Sequence, residues 1–239
     1  MAQGASLLLA MGLWLAVSSV WAGSFQVSPI RLQLSLRERA TALHLANTGD
    51  TALVLHAEVM HWSQDTQGQD LLEPSNDLVL SPPVVNLPPG GQQVVRLARL
   101  AAPDPLRPRS YRLIVRETPG FATEPPPATG QVPFLLAMSL PVFIAPAQPL
   151  RQLQCQPEPP PASLVVSCLN EGNVFARVLR VDLGDPARPV ARFEGATYVL
   201  PGARQRFALQ VGAEPVRGPH DLTLWFDDGT TATMAIAMP

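Results

Sequence analysis

Charge is scarce in this 239-residue chain: 15% of its residues are charged and the formal net charge is −2. A surface so sparse and so balanced lacks the basic footprint that nucleic acid requires, which excludes nucleic acid as a partner. The signatures of catalysis are missing too. There is no G-x-S-x-G, no H-E-x-x-H and no G-x-x-x-x-G-K-[ST], hence no nucleophile elbow, no zinc pair and no phosphate loop. Pro89-Gly90-Gly91 lies between strand-like stretches and reads as a turn. The histidines offer no metal set, because His56 and His61 have opposite parity on one strand and point to different faces. The expectation is a protein without catalytic residues, metal, cofactor or small-molecule substrate.

Cysteine is almost absent. The pair that exists, Cys155 and Cys168, flanks the proline-rich stretch "QPEPPPASLVVS". In an exported protein such a pair reads as a disulfide. Closing a loop of about 13 residues would stabilise the fold by ~3 kcal/mol on the chain-entropy model. Helical periodicity is also lacking, with no amphipathic run of about ten residues or more.

What the chain does have is apolar residues, 46% of the total, and 27 prolines spread without period. That combination suits short strands joined by turns. "RLQLSL", "TALHLANTGD", "ALVLHAEVMHW", "LVLSPPVVNLPPGGQQVVRLARL" and "SYRLIVRE" form one series. After "APAQP" comes a second: "SLVVSCLN", "ARVLRVDL", "TYVLPGARQRFALQV" and "DLTLWFDDGTTATMAIAM". Asp228-Gly229 marks a hairpin, so the paired acids Asp227 and Asp228 read as turn residues. The spacing predicts an all-β protein of two β-sandwich domains, residues 23–146 and 147–239. Ahead of them, residues 1–22 read as a signal peptide: an apolar run from Ser6 to Val17, then Val20-Trp21-Ala22 in the manner of a cleavage site. No Lys or Arg precedes Arg31, and an uncleaved anchor is the alternative.

One segment poses a problem. "GQVPFLLAMSLPVFIAP", residues 130–146, carries no charge and is apolar on both parities, although a strand in a sandwich needs one apolar face. Its prolines, Pro133 and Pro141, belong on an edge strand. An apolar edge is an aggregation hazard unless a partner covers it.

Taken together, "VSPIRLQL", "LHLANTGDTALVLHAEVMHW", "LPPGGQQVVRLARL", "VRETPG", "SLPVFIAP", "LNEGNVFARV" and "YVLPGARQRFAL" resemble the periplasmic pilus-assembly chaperones of chaperone–usher systems, over nearly the whole mature chain. The "SLPVF" ending looks more like the archaic, Csu-type branch than the P- and type 1-pilus branch. The resemblance implies two immunoglobulin-like sandwiches in an L or boomerang arrangement, a periplasmic location and no enzymatic activity. It implies pilus subunits and an outer-membrane usher as partners, with a role in fimbria biogenesis and cell wall organisation. Such a chaperone lends a strand to an incomplete subunit, a case of β-augmentation. The donor positions matched here are Val132, Phe134, Leu136 and Met138. Whether the free chain covers that strand by self-association stays open.

The family also holds the subunit's C-terminal carboxylate with two basic residues. Arg31 matches the first; the place of the second, a lysine, is taken by Pro141. An antiparallel neighbour would bring the start of "YRLIVRE" beside Pro141, which nominates Arg112 as the replacement, an arginine fork being suited to a carboxylate. Arg96 is a weaker candidate. The rival reading is a secreted pilus or adhesion structural subunit, against which stand the two domains and the short segment before the first strand. A carbohydrate-binding sandwich would want exposed tryptophans, whereas Trp62 and Trp225 lie within strands.

Overall fold

The computed structural model describes residues 25–100, 109–118, 135–158, 164–212 and 216–238. The described residues form strands and no helix: β1 Phe25–Ser28, β2 Leu32–Leu34, β3 Ala40–Asn47, β4 Leu53–Gln64, β5 Asp70–Pro74, β6 Leu78–Ser81, β7 Val84–Leu87, β8 Gln92–Arg99, β9 Ser110–Thr118, β10 Ala137–Ile144, β11 Leu153–Pro157, β12 Leu164–Asn170, β13 Ala176–Leu183, β14 Ala191–Val199, β15 Arg204–Val211, β16 Gly218–Phe226 and β17 Thr231–Met238. They build two immunoglobulin-like β-sandwiches, as the alternating sequence predicts.

In the first, a four-stranded sheet β1-β3-β8-β6 faces a sheet ordered β2-β10-β9-β4-β5, with β7 also paired to β4. One core lies between them, filled by Leu43, Leu55, Val95, Leu97, Leu113 and Val142 among others. The expected core parity of β9 holds: Tyr111, Leu113 and Val115 are buried in it. Twice the chain crosses between sheets at a proline. "SPIR" carries it from β1 to β2, and "SPPV" from β6 to β7. Proline has no N–H to lend a ladder, so pairing ends there and the chain is free to change partner. The sequence pattern had shown only a turn in the second place; β7 is an extra strand.

In the second sandwich the ladder runs β11-β12-β15-β14-β13-β16-β17 around one core centred on Val166, Val178, Leu183, Phe207 and Leu224. Cys155 and Cys168 stand opposite each other on β11 and β12 and are joined by a disulfide. The stretch "TYVLPGARQRFALQV" is two strands, since Leu200–Ala203 turn between β14 and β15. The hairpin at Asp228-Gly229 forms as expected between β16 and β17.

An asparagine device recurs in both halves. In the first, Asn47 Nδ2 donates to the carbonyls of Thr51 and Leu87 at 2.7 and 3.1 Å, and the Gly49 N–H donates to Asn47 Oδ1. In the second, Asn170 Nδ2 donates to Val174 and Val199 at 2.8 and 2.9 Å, and the Gly172 N–H to Asn170 Oδ1. Each buried amide ties its own turn to a distant one ("LPPG" or "LPGA"). Asn170→Ala removes the donor to one buried and one part-buried carbonyl, so we expect a loss of about 1–3 kcal/mol in urea denaturation.

The two sandwiches meet through an aromatic cluster. Trp62 and Phe143 come from the first, Leu200, Ala203, Phe175 and Tyr198 from the second. Phe143 stacks on Phe175 at 3.8 Å between centroids, and Trp62 meets Tyr198 edge-on at 5.3 Å. Gln64 extends the joint as a strand would. Its amide donates to the Tyr198 carbonyl and accepts from the Leu200 N–H, both at 3.0 Å. Behind it Gly68 comes so close to the second sandwich that an added Cβ would lie 2.0 Å from Gln205 Oε1 and 3.2 Å from the Arg204 carbonyl, with φ at +80°. Gly68→Ala should therefore cost about 1–2 kcal/mol in thermal unfolding, from the left-handed backbone and the crowding together.

Candidate functional site

The strand expected to serve a partner is β10, and its two flanks differ. Along one it pairs with β9, Ala137 opposite Arg116 through Phe143 opposite Ser110. Along the other, β2 covers only Val142 to Ile144. Among the described residues nothing pairs with Ala137–Pro141 on that side. The Leu136 carbonyl accepts from the Glu117 N–H at 2.9 Å, so even-numbered residues direct their backbone groups toward β9. Ala137 and Ser139 therefore direct theirs outward. Pro141 falls at an outward-facing position, where its missing N–H costs the β9 ladder nothing.

The two apolar parities of this strand separate cleanly. Leu140 and Val142 are buried in the first core and Met138 is packed against it. Phe143, of the other parity, belongs to the interdomain cluster. Thus the second apolar face is filled, at its end, by the neighbouring sandwich. Met138, of the same parity as Leu136, is half-buried against its own core. Leu136 and Leu135 are exposed, at 37% and 52%. Val132 and Phe134 lie outside the described residues.

Arg31 sits at the "SPIR" crossing, immediately before β2, and β2 runs parallel to the end of β10. This places it in a cavity of about 440 Å³ between the sandwiches, lined also by Arg109, Phe143, Arg151, Phe175, Arg177, Asp227 and Asp228. Arg31 Nη1 donates to Asp227 Oδ2 at 2.6 Å, an ion pair across the two halves of the molecule. Its guanidinium also stands over the Phe175 ring. Arg177 Nη1 lies 3.9 Å from the same Asp227 oxygen. Arg151 is paired with Asp228, and its Nη1 reaches Thr230 Oγ1 at 3.3 Å. The Arg151 hydrogen bond foremost, then those from Thr230, hold the Asp228 carboxyl well below the usual aspartate range. All 17 cationic residues of the chain are arginine, so a lysine anchor is absent from the molecule and not only from position 141.

Arg112 lies outside the Arg31 cavity. It does stand opposite Pro141 in the ladder. Its guanidinium, however, lies over the Trp62 ring at 3.6 Å, 5.6 Å from Tyr198, with Asp70 at 3.4 Å. It lines a different hollow, with Asp70, Gln205 and Tyr198, and is not part of the Arg31 cavity. Burial pulls its guanidinium below the ordinary value, with Asp70 and Tyr198 opposing. The side chain braces the joint, because the aromatic faces beside it attract a cation more strongly than the open cavity does. Arg96 stands exposed on the outer face of the four-stranded sheet, outside the cavity. Trp225 is half-buried: it lies under Arg180 and donates to the buried Asp182 at 2.8 Å.

The residues that sequence reasoning missed are Asp227, Asp228, Arg151 and Arg177. A DDG hairpin has a sufficient explanation as a turn, and nothing local shows that this turn reaches Arg31, 196 positions away. Among the described residues no group of His, Cys, Asp and Glu could hold a metal ion. No helix there is long and apolar enough to cross a membrane.

Residues 24–149 match the family model described as pili and flagellar-assembly chaperone, PapD N-terminal domain. Solved structures share the fold. One is the CsuC–CsuE chaperone–tip adhesion subunit pre-assembly complex from archaic chaperone–usher Csu pili of Acinetobacter baumannii, with a chain 24% identical at a TM-score of 0.65, covering 91% of this chain and 100% of that one. The Pseudomonas aeruginosa CupB2 chaperone is 21% identical at 0.55, over 90% and 100%. A Salmonella enterica SafA pilin–SafB chaperone complex contributes a chain 14% identical at 0.59, over 92% and 99%. No curated protein matches the sequence.

Proposed function

This chain belongs to the family of pili and flagellar-assembly chaperones, and from that premise we propose that it binds pilus subunits by lending them the open edge of β10 and passes them to an outer-membrane usher. The observation that carries the proposal is the unpaired stretch Ala137–Pro141, preceded by the exposed Leu135 and Leu136. A subunit strand added there receives backbone hydrogen bonds from Ala137 and Ser139. It also covers apolar surface that a monomer would otherwise leave as a sticky edge. Val132, Phe134 and Leu136 are assigned to the groove of the subunit. Leu136 by itself contributes about 1.5–3 kcal/mol when buried.

The Arg31 cavity is assigned to the C-terminal carboxylate of the bound subunit. It lies just past the end of the open edge, so a strand running along β10 delivers its terminus there. Chains from a chaperone–tip adhesion subunit complex and from a pilin–chaperone complex, among the fold neighbours, support a pilus subunit as the partner. The proline in place of a lysine fits the archaic branch. The working anatomy is a signal peptide over residues 1–22, a strand-donating domain over 23–146 and a second domain over 147–239, acting in the periplasm. The disulfide between Cys155 and Cys168 suits that compartment.

The experiment is co-expression in a periplasm with candidate pilus subunits, followed by pull-down on a tag at the C-terminus. A one-to-one complex, protected from proteolysis, is the expected result. Polymerisation of the purified chain on its own would instead favour the structural-subunit reading.

A further inference from the structure

We propose that Arg177 is the second ligand for the partner's carboxylate, and that Asp227 is a positioning residue that holds Arg31 and Arg177 together to receive it. The inference rests on the carboxylate reading of the cavity given above and names the residues that make it work.

Four arginines line the cavity, and their engagements differ. Arg151 is committed to Asp228 and Thr230. Arg109 is committed to Asp77 at 2.8 Å. Arg31 uses a single nitrogen, Nη1, on Asp227, which leaves the Nε–Nη2 edge of its fork for a bidentate partner. Arg177 stands over the Tyr198 ring at 5.4 Å but has no close acid. Its nearest acid is Asp227, at a distance too long for a hydrogen bond, and its Nε is buried with no partner. Buried donors left unmatched are costly, and an arriving carboxylate between Arg31 and Arg177 would give the Arg177 Nη1 group the close partner that Asp227, at 3.9 Å, does not.

Asp227 explains why two cations can face one another across the domain boundary. Arg31 comes from the β1–β2 crossing and Arg177 from β13, and the same Asp227 oxygen lies between them. That oxygen is mostly buried, the side chain being 13% exposed, and the backbone fixes it as well: the Asp227 N–H donates to the Arg177 carbonyl at 3.1 Å. A carboxylate so fixed offsets the repulsion between the guanidiniums. Because it takes only one nitrogen of Arg31, it supports the fork without occupying it.

The alternative is that Asp227 is a competitor to be displaced, and the two differ in sign. The test uses the mature full-length chain with acetate as the carboxylate probe and acetamide as the neutral control. Binding is followed by the Nε–Hε correlations of the arginine side chains in NMR. In the wild type, Arg31 and Arg177 should shift together on one saturable isotherm, while Arg109 and Arg151 stay in place and acetamide moves none. In Asp227→Asn, acetate affinity should fall about tenfold and the two signals should titrate separately. Arg177→Gln should weaken the Arg31 isotherm, and Arg177→Lys should recover part of it. Tighter acetate binding in Asp227→Asn would overturn the positioning role. A moving Arg31 with a silent Arg177 would overturn the ligand assignment. If neither moves, the carboxylate reading of the cavity falls as well. A chain that binds acetate as described yet captures no subunit in the pull-down keeps this site and loses the chaperone mechanism.

Discussion

Leu136→Asp abolishes capture of the pilus subunit and leaves the chain as stable as before: this is the largest effect we expect from any single exposed position. The side chain is partly exposed and lies outside the core cluster, so the free molecule loses no core packing, and surface changes of this kind stay within about 0.5 kcal/mol. The backbone of Leu136 remains tied to Glu117. In the complex the same position enters the apolar groove of the partner. The substitution there forfeits about 1.5–3 kcal/mol of burial and adds an unpaired carboxylate, whose desolvation costs several kcal/mol more. Capture should drop by at least about a thousandfold, below detection in a pull-down. Leu135→Asp provides the internal comparison. It alters the opposite parity, so capture should persist there, although weakened. Wild-type capture by Leu136→Asp would sink the donor-strand assignment, whatever the family membership.

What could be read from the sequence followed from short-range periodicity. Alternation in "YRLIVRE" placed Tyr111, Leu113 and Val115 in the core, and they are there. Proline at 133 and 141 marked an edge, and β10 has one at Ala137–Pro141. The DG pair gave the last hairpin. Alternation cannot say which of two apolar faces meets what. Met138 and Phe143 are equally apolar in the sequence, yet one closes its own core and the other joins the second sandwich. The cavity was the least legible feature. Its ion pair joins Arg31 to Asp227 across the whole chain, and no local pattern encodes the angle at which two domains dock. Arg112 shows the same failure from the other side. Strand pairing placed its backbone correctly opposite Pro141, while the side chain followed Trp62, from the adjacent strand of its own sheet, and Tyr198, which reaches it only across the domain boundary.

That contrast gives the second large prediction, a pair of alanine substitutions with opposite outcomes. Arg31→Ala removes a partly exposed ion pair, and such pairs contribute about 0–1 kcal/mol. The chain should therefore unfold within a few degrees of the wild type. Its capture of subunits should nonetheless collapse, because the carboxylate at the end of the bound strand loses a charge-assisted fork, worth about 1.5–3 kcal/mol per hydrogen bond. Arg112→Ala should do the reverse. The guanidinium resting on Trp62 is largely desolvated, with a side-chain exposure of 16%, a setting in which the cation–π contact contributes about 2 kcal/mol. Its loss uncovers Trp62 and Tyr198 at the joint, so thermal unfolding should shift down by several degrees. Subunit capture should survive at temperatures where the variant is folded. Thermal unfolding and pull-down on the two variants read both axes at once. Capture lost from a fully stable Arg112→Ala would return that residue to the carboxylate site. Capture retained by Arg31→Ala would show that the cavity is a by-product of domain docking, with the partner held by the β10 edge alone.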